Sequence, residues 1–251
     1  MGQRLKVRLA YRLDFLLNGV GEVLLACVGV LFLGTLFRHV PDLGGWTAAE
    51  AIFCWGFAET VVGLFFVCFN GLYALNQRYI LGGELDRALL RPMDPYVQVL
   101  LDNLSFEDVP IALLGVGVMG WASLSLPAIP LWKLLFLPLL LMSATAVMGG
   151  LLTALASLGF HLHHRGTAVG LVFQLSTFNR YPIDLFARPL RWLLTFVLPL
   201  AFAGFYPAVF FLDRPEWLPY VIAQPFVGAA CLGLGYAGWR YGLRTYTSSG
   251  T

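Results

Sequence analysis

The sequence contains few charged residues. Asp, Glu, Lys and Arg make up 12% of its 251 residues, whereas hydrophobic residues make up 59%. A soluble domain typically has about 25% charged and about 45–50% apolar residues. The composition therefore excludes an ordinary soluble globular protein and predicts a polytopic membrane protein. The length fits one membrane domain over residues 1–251, without a soluble catalytic domain beside it. The net charge of +2 does not favour nucleic acid as a partner.

The sequence also lacks the common catalytic and nucleotide-binding motifs. It has no Gly-x-Ser-x-Gly, no His-Glu-x-x-His and no Gly-x-x-x-x-Gly-Lys-Ser/Thr phosphate loop. We therefore predict no catalytic residue in this chain. We also expect that any energy from ATP must come from a partner chain.

Neither the cysteines nor the histidines follow a metal-binding pattern. The four cysteines lie in apolar runs without CxxC spacing, which predicts inert thiols; they are Cys27, Cys54, Cys68 and Cys231. His161, His163 and His164 precede Arg165 and predict a polar inner turn, since a metal site needs convergent ligands with a fixed second shell. We predict neither a metal nor a cofactor bound by this chain.

Long apolar runs predict an all-α transmembrane fold, because a membrane-spanning helix needs about 20 apolar residues. Thr47 and Glu50 have the spacing of a capping box at the start of one such helix. Glycines at 115, 117, 120, 149 and 150 predict close helix contacts. The six predicted spans are residues 16–37, 47–75, 109–126, 131–160, 167–180 and 217–239.

The first 15 residues are basic and amphipathic, with Arg4, Lys6, Arg8 and Arg12 between apolar residues. Such a pattern predicts an interface helix on the cytoplasmic membrane surface, where anionic lipid attracts it. Most Lys and Arg residues then fall on one side, which the positive-inside rule assigns to the cytoplasm. Both termini are expected on that side.

The fifth span has two possible assignments. Residues 167–180 are apolar but short, and residues 190–212 are longer but interrupted by Pro199 and Pro207. Either segment could span the membrane while the other is re-entrant. The positive-inside rule alone favours the second assignment, because it would place Arg180, Arg188 and Arg191 inside.

Residues 78–95 form the longest polar interruption of the apolar sequence. Gly82 and Gly83 can end one helix and turn the chain. Glu84 and Asp86 then suit the first turn of a new helix, because carboxylates interact favourably with the positive end of its dipole. Leu85, Leu89 and Leu90 predict an apolar stripe, Arg87 and Arg91 lie four residues apart on another face, and Pro92 ends the helix.

Glu59 lies in the middle of the second predicted span. An ionisable group at that depth costs about 2.5–3.5 kcal/mol, so it is usually paired or faces a wet cavity. Three interpretations remain open: a lining residue of a substrate path, a polar contact between two subunits, or a contact between helices of one subunit. Phe66, Asn70 and Phe173 are further candidates for the path or the dimer interface, and the aromatic residues suggest an amphiphilic or hydrophobic cargo.

Three sequence blocks resemble the membrane subunits of type-2 ABC exporters, the six-span permeases with a GELDxxLLRPxxP loop. The first block is GELDRALLRPMDP at residues 83–95, the second runs from Phe178 through Leu185 to Phe202, and the third is GLRTYTS at residues 242–248. The resemblance implies an N-terminal interface helix, a cytoplasmic coupling helix after the second span and a re-entrant outer hairpin before the last span. It favours residues 167–180 as the fifth span and residues 181–212 as the outer hairpin, with Arg180, Arg188 and Arg191 outside.

The resemblance also assigns roles to individual residues. It implies contact with an ATPase for Gly83, Glu84, Asp86, Arg87 and Arg91 in the coupling loop (residues 78–95), and for Arg8 in the interface helix. It implies an outer hairpin that includes Tyr181, Pro182, Arg191 and Pro199.

The sequence as a whole is therefore expected to encode the permease subunit of an ATP-driven exporter in the bacterial inner membrane. Its expected partners are ATP-binding cassette ATPase subunits, which hold ATP and Mg, a second identical or paralogous permease, and the lipid bilayer. The alternative is an ion-coupled secondary transporter that uses Glu59 as the coupling carboxylate; it predicts transport without an ATPase.

Overall fold

A computed structural model of the chain describes residues 12–40, 43–80, 82–160 and 174–246. These residues are helical, without a named β-strand; Leu43 and Trp46 form an isolated bridge. We number the main helices α1 (Arg12–His39), α2 (Ala48–Phe69), α3 (Glu84–Leu89), α4 (Pro95–Asp102), α5 (Val109–Ser123), α6 (Leu137–Ser157), α7 (Arg188–Trp192), α8 (Phe205–Val209) and α9 (Leu218–Thr245).

Three helical stretches within the described residues are long and apolar enough to cross a membrane. They are Ala48–Phe69, Leu131–Phe160 and Pro215–Thr245, and a shorter apolar helix covers Cys27–His39. The prediction of an all-helical membrane protein is confirmed, whereas the count of six spans stays a prediction. The described part of the predicted interface helix, residues 12–15, is continuous with α1, and residues 1–11 lie outside the described residues.

The start of α2 follows directly from the sequence. The Thr47 side chain accepts a hydrogen bond from the backbone NH of Glu50, and Glu50 accepts one from the backbone NH of Thr47 at 2.9 Å. The predicted capping box is thus confirmed; it satisfies two backbone donors that a helix start leaves without partners. At its other end, α2 stops at Phe69, and a helical turn at Gly71–Ala74 and a π-helix at Leu75–Ile80 continue the chain.

Two pairs of helices pack closely because small residues line their contacts. In the α2–α5 pair, a Cβ added at Gly56 would lie 2.7 Å from the backbone nitrogen of Met119. In the α6–α9 pair, a Cβ added at Gly228 would lie 2.6 Å from the carbonyl oxygen of Ser143. Gly115, Gly149 and Gly150 also lie at close contacts, as predicted. Gly117 and Gly120 are exposed, and no atom of the described residues lies within 4 Å of a Cβ added there.

Contacts at the two ends of the bundle show which segments lie together. At the N-terminal end of α2, the indole nitrogen of Trp46 donates to Asp184 at 2.9 Å, Arg214 pairs with Glu50 at 2.8 Å, and Lys133 pairs with Asp213. The coupling loop lies at the other end, beside the C-terminal ends of α6 and α9.

Residues 181–212 do not form one continuous helix. The segment contains α7, α8, the π-helix Leu193–Val197 and the short 3₁₀ turns Ile183–Leu185, Leu200–Ala203 and Phe210–Leu212. Its second half is buried against α2, where Phe211 contacts the rings of Phe53 and Phe57. Broken helices are tolerated at membrane depth when protein surrounds them. The assignment of this segment as an outer re-entrant hairpin stays a prediction.

Candidate functional site

The coupling loop begins with a sharp turn that glycine makes possible. Gly83 has φ +68°, a left-handed conformation that residues with a side chain rarely adopt. It precedes α3, whose first turn carries Glu84 and Asp86, as the sequence predicts. After α3, Asp94 caps α4 by accepting hydrogen bonds from the backbone NH groups of Tyr96 at 2.8 Å and Val97 at 3.4 Å. The loop is therefore a short helix held between two defined turns.

One face of α3 is fixed to the protein and the other faces outward. Leu85 and Ala88 are buried, and the amide of the buried Gln98 donates to the carbonyl oxygens of Ala88 at 2.9 Å and Met93 at 2.6 Å. Leu90 is 87% exposed. The predicted apolar stripe is thus divided, since Leu85 is in the core while the other two leucines are exposed. The exposed residues of this outer face are Arg87, Leu89, Leu90, Arg91, Pro92 and Met93.

The charged residues of the coupling loop are partly engaged within the chain. Arg78 donates from Nε to Glu84 at 2.8 Å, and this bond raises the pKa of the Arg78 guanidinium. Arg91 pairs loosely with Asp102 at 3.4 Å. Burial, reinforced by the neighbouring Asp86 carboxylate, raises the pKa of the Tyr246 phenol. Because exposed pairs contribute little energy, these contacts orient the loop more than they stabilise it.

Of the predicted coupling residues, the five in this loop lie on one short segment at one end of the bundle. Arg8 lies outside the described residues. The structure adds Gln98, Asp94 and Tyr96, which the sequence did not single out as supports of the loop. The Asp94-Pro95 pair is a helix-start signal that could have identified Asp94 as a cap.

Glu59 forms an ion pair inside the protein. It is 5% exposed, and its Oε2 lies 2.9 Å from a terminal guanidinium nitrogen of Arg180. The guanidinium of Arg180 also lies over the ring of Trp55, 5.8 Å from its centre. Of the three interpretations of Glu59, this geometry matches a contact within one subunit.

The pair also locates Arg180 within the bundle. Glu59 follows Ala48, the first residue of α2, by eleven positions, which is roughly 17 Å along the helix axis at 1.5 Å per residue. The Arg180 guanidinium therefore lies near mid-height of α2, whereas Asp184 lies beside the start of that helix; the outer position of Arg180 stays a prediction. The physical reason is that a buried carboxylate needs a countercharge. The neighbouring Asn179 is also buried, and among the described residues its side-chain amide has no hydrogen-bond partner.

The other candidates for a path or a dimer contact do not converge on Glu59. Phe66 packs against the rings of Phe65 and Tyr73 at 5.5 and 5.9 Å, and Asn70 lies at the C-terminal end of α2. Asn70 is eleven residues from Glu59, about 17 Å along the axis. Phe173 lies outside the described residues. Phe66 and Asn70 therefore lie at other heights along α2 than Glu59, and a common site stays a prediction.

The predicted hairpin residues occupy the N-terminal end of α2 and the break that follows α7. Arg191 donates to the carbonyl oxygen of Asp184 at 3.2 Å, next to the buried Pro182. Tyr181 is half-buried, and Pro199 separates the π-helix from the following 3₁₀ turn. The coupling loop and the Asp184 turn therefore lie at opposite ends of α2.

Within the described residues, no group of three or more His, Cys, Asp or Glu could hold a metal ion. The histidine turn at residues 161–164 lies outside them.

A family model described as "ABC-2 family transporter protein" matches residues 23–250. No curated protein and no solved structure matches the chain. The matched range includes all the described helices, apart from the first eleven residues of α1.

Proposed function

Because the chain belongs to the ABC-2 transporter family, we propose that it is the membrane-spanning permease subunit of an ATP-driven exporter. ATPase subunits that bind ATP and Mg dock on the coupling loop, and a second identical or paralogous permease completes the path. The protein resides in the bacterial inner membrane with both termini in the cytoplasm. One observation supports this proposal most directly. The outer face of α3 and the turn after it expose apolar and cationic side chains, while the loop itself is anchored to the rest of the protein.

The physical argument for docking rests on the contrast between the two faces of this loop. Leu85 is buried, so α3 cannot turn its outer face inward without exposing that side chain. Leu90 and Met93 are exposed beside Arg87 and Arg91. Exposed apolar side chains surrounded by charged ones are typical of a protein-binding surface. They fit a partner surface that has an apolar depression and acidic residues around it.

The path candidates enter the same proposal. Glu59, Phe66, Asn70 and Phe173 line the path or the contact between the two permeases. ATP-driven closure of the ATPase pair moves the coupling loops, and the helices tilt as rigid bodies to expose the path to the other side. Glu59 pairs with Arg180 of the same chain, so this pair must open during the movement if Glu59 is to face the path.

Co-purification from mild detergent tests the proposal. The wild-type chain should retain an ABC ATPase, and Leu90→Glu should release it because a carboxylate then replaces the most exposed leucine of the docking face. Leu131→Glu is the matched control. Leu131 is 81% exposed, but it begins the Leu131–Leu134 helix near Asp213, at the end of the bundle opposite the coupling loop.

Two outcomes would contradict the proposal. If no ATPase associates with the wild-type chain, the permease assignment fails. Transport that continues in vesicles without an ATPase, driven by an ion gradient, would instead favour the secondary transporter. If Leu90→Glu and Leu131→Glu release the ATPase equally, the docking face is wrong although the permease assignment stands.

A further inference from the structure

The coupling loop and the start of α4 contact helices that are distant in sequence. The chain from residue 78 to residue 102 lies between α2 and α5, yet the phenol of Tyr236 in α9 donates to Oδ2 of Asp94 at 2.6 Å. Oδ1 of the same carboxylate caps α4 through the backbone NH of Tyr96. Asp94 therefore joins the coupling loop, the start of α4 and α9 at one point.

Tyr96 makes a second connection, to both α6 and α9. Its buried ring lies 5.6 Å from the ring of Tyr236 and 5.4 Å from that of Trp239, measured between centres. Its hydroxyl is 3.0 Å from Oγ1 of Thr153, and Thr153 itself donates to the carbonyl oxygen of Gly149 at 2.6 Å. Because a threonine hydroxyl has one proton, Tyr96 is the donor and Thr153 the acceptor in this bond.

These contacts join the two tightly packed helix pairs. Within α2–α5 and within α6–α9, glycines bring backbones so close that an added Cβ would collide. Each pair therefore has little freedom to slide internally. The coupling loop is covalently part of the first pair, but Asp94 and Tyr96 bind it to the second. A displacement of the loop must therefore move the α6–α9 pair or break these bonds.

We propose that Asp94, Tyr96, Thr153 and Tyr236 form a clamp that transmits the movement of the coupling loop to the α6–α9 pair. The clamp rests on the proposed function, because it needs an ATPase that moves the loop. Its members are positioning residues, which carry displacement while Leu90 and its exposed neighbours bind the partner. Docking and transmission are thus assigned to opposite sides of the same loop, and they can be separated by mutation.

The test uses substitutions that remove single hydroxyl groups and keep the rings. Tyr236→Phe removes the bond to Asp94, and Tyr96→Phe removes the bond to Thr153. Thr153→Val should reproduce Tyr96→Phe, whereas Thr153→Ser keeps the acceptor and should behave as wild type. Tyr220→Phe is the matched control, because Tyr220 lies on α9 but stacks on Tyr206 far from the clamp.

The movement is measured between the two helix pairs in lipid nanodiscs that contain the co-purified ATPase. Spin labels are attached to cysteines at Leu124, directly after α5, and at Ile222 in α9, both of which are exposed. The four native cysteines are replaced by alanine. Labelled chains are diluted with unlabelled ones, so the distance is measured within one chain, before and after trapping with ATP and vanadate.

The clamp predicts a separation of binding from movement. The Tyr96→Phe/Tyr236→Phe variant should bind the ATPase with an affinity within about twofold of wild type, because the docking face is unchanged. After trapping, its ratio of moved to unmoved chains should fall by at least about fivefold, because one lost hydrogen bond changes an equilibrium constant by about that factor and this variant loses two. Thr153→Ser and Tyr220→Phe should show the full distance change.

The outcomes distinguish the clamp from the proposed function. Full distance change in the double variant would overturn the clamp and leave the permease assignment intact. Weakened ATPase binding in parallel with the lost movement would also overturn it, because the bonds would then only shape the docking face. Failure of the wild-type chain to bind any ATPase would refute the proposed function, and the clamp with it.

Discussion

Replacing Arg180 by glutamine should destabilise the protein more than replacing both Arg180 and Glu59. The single substitution leaves the Glu59 carboxylate, which is 7% exposed as a side chain, without its countercharge. The double substitution to Glu59→Gln/Arg180→Gln removes both charges and keeps two polar groups of similar shape. With Glu59→Gln as the second single variant, the three substitutions complete a double-mutant cycle, and its coupling energy measures the ion pair.

The magnitude follows from distance and burial. Two unit charges at 2.9 Å attract by about 6 kcal/mol at an effective dielectric constant of about 20, and desolvation offsets part of this. Breaking a buried pair costs about 3–5 kcal/mol, so we expect about 4 kcal/mol for Arg180→Gln. For Glu59→Gln we expect only about 2 kcal/mol, because the remaining arginine side chain is 26% exposed and keeps some water.

Equilibrium unfolding in mixed detergent micelles measures these free energies. Tryptophan fluorescence is a suitable signal when the other six tryptophans are replaced by phenylalanine in every variant, because the Arg180 guanidinium lies over the ring of Trp55. The charge-exchanged variant Glu59→Arg/Arg180→Glu should recover part of the lost stability. A coupling energy below about 0.5 kcal/mol would refute the reasoning, since a pair of this burial cannot be worth so little if it forms in the membrane.

Three further predictions test the surface, the topology and the packing. Reversing charge by Glu84→Lys with Arg87→Glu should abolish ATPase association in co-purification while membrane insertion is retained; normal association would contradict the coupling role. A cysteine at Arg188 should react with an impermeant maleimide added to intact cells, and reaction only after permeabilisation would place this end of the bundle inside. Gly150→Leu should lower the unfolding free energy by about 1–3 kcal/mol through overpacking. Gly117→Leu should change it little, because no described atom lies near an added Cβ there. Equal effects of the two substitutions would contradict the described α6–α9 contact.

Local features of the fold could be predicted because their causes are local. Thr47 and Glu50 define a helix start through bonds that span three residues. Gly83 marks a turn because glycine readily adopts the positive φ that this turn has. The apolar runs predict membrane helices because their length must match the bilayer. Each of these signals depends on neighbours in the chain, so no tertiary information is needed.

Contacts between distant segments could not be predicted in the same way. The glycines at 115 and 117 look alike in the sequence, yet only Gly115 meets a partner helix. Periodicity gives the relative orientation of residues on one helix, but it does not say which face another helix covers. Similarly, Glu59 required a countercharge, and several arginines could have supplied it.

The sequence by itself determined a helical membrane protein with a polar loop that begins at a glycine turn and carries carboxylates in its first helical turn. Composition, spacing and local hydrogen-bonding capacity are sufficient for that. Only the tertiary structure decided that Leu85 anchors this loop while Leu90 is exposed, that Asp94 and Tyr96 bind it to α6 and α9, and that Arg180 neutralises Glu59. These contacts join residues far apart in the chain, and they arise from how helices pack, which no single segment encodes.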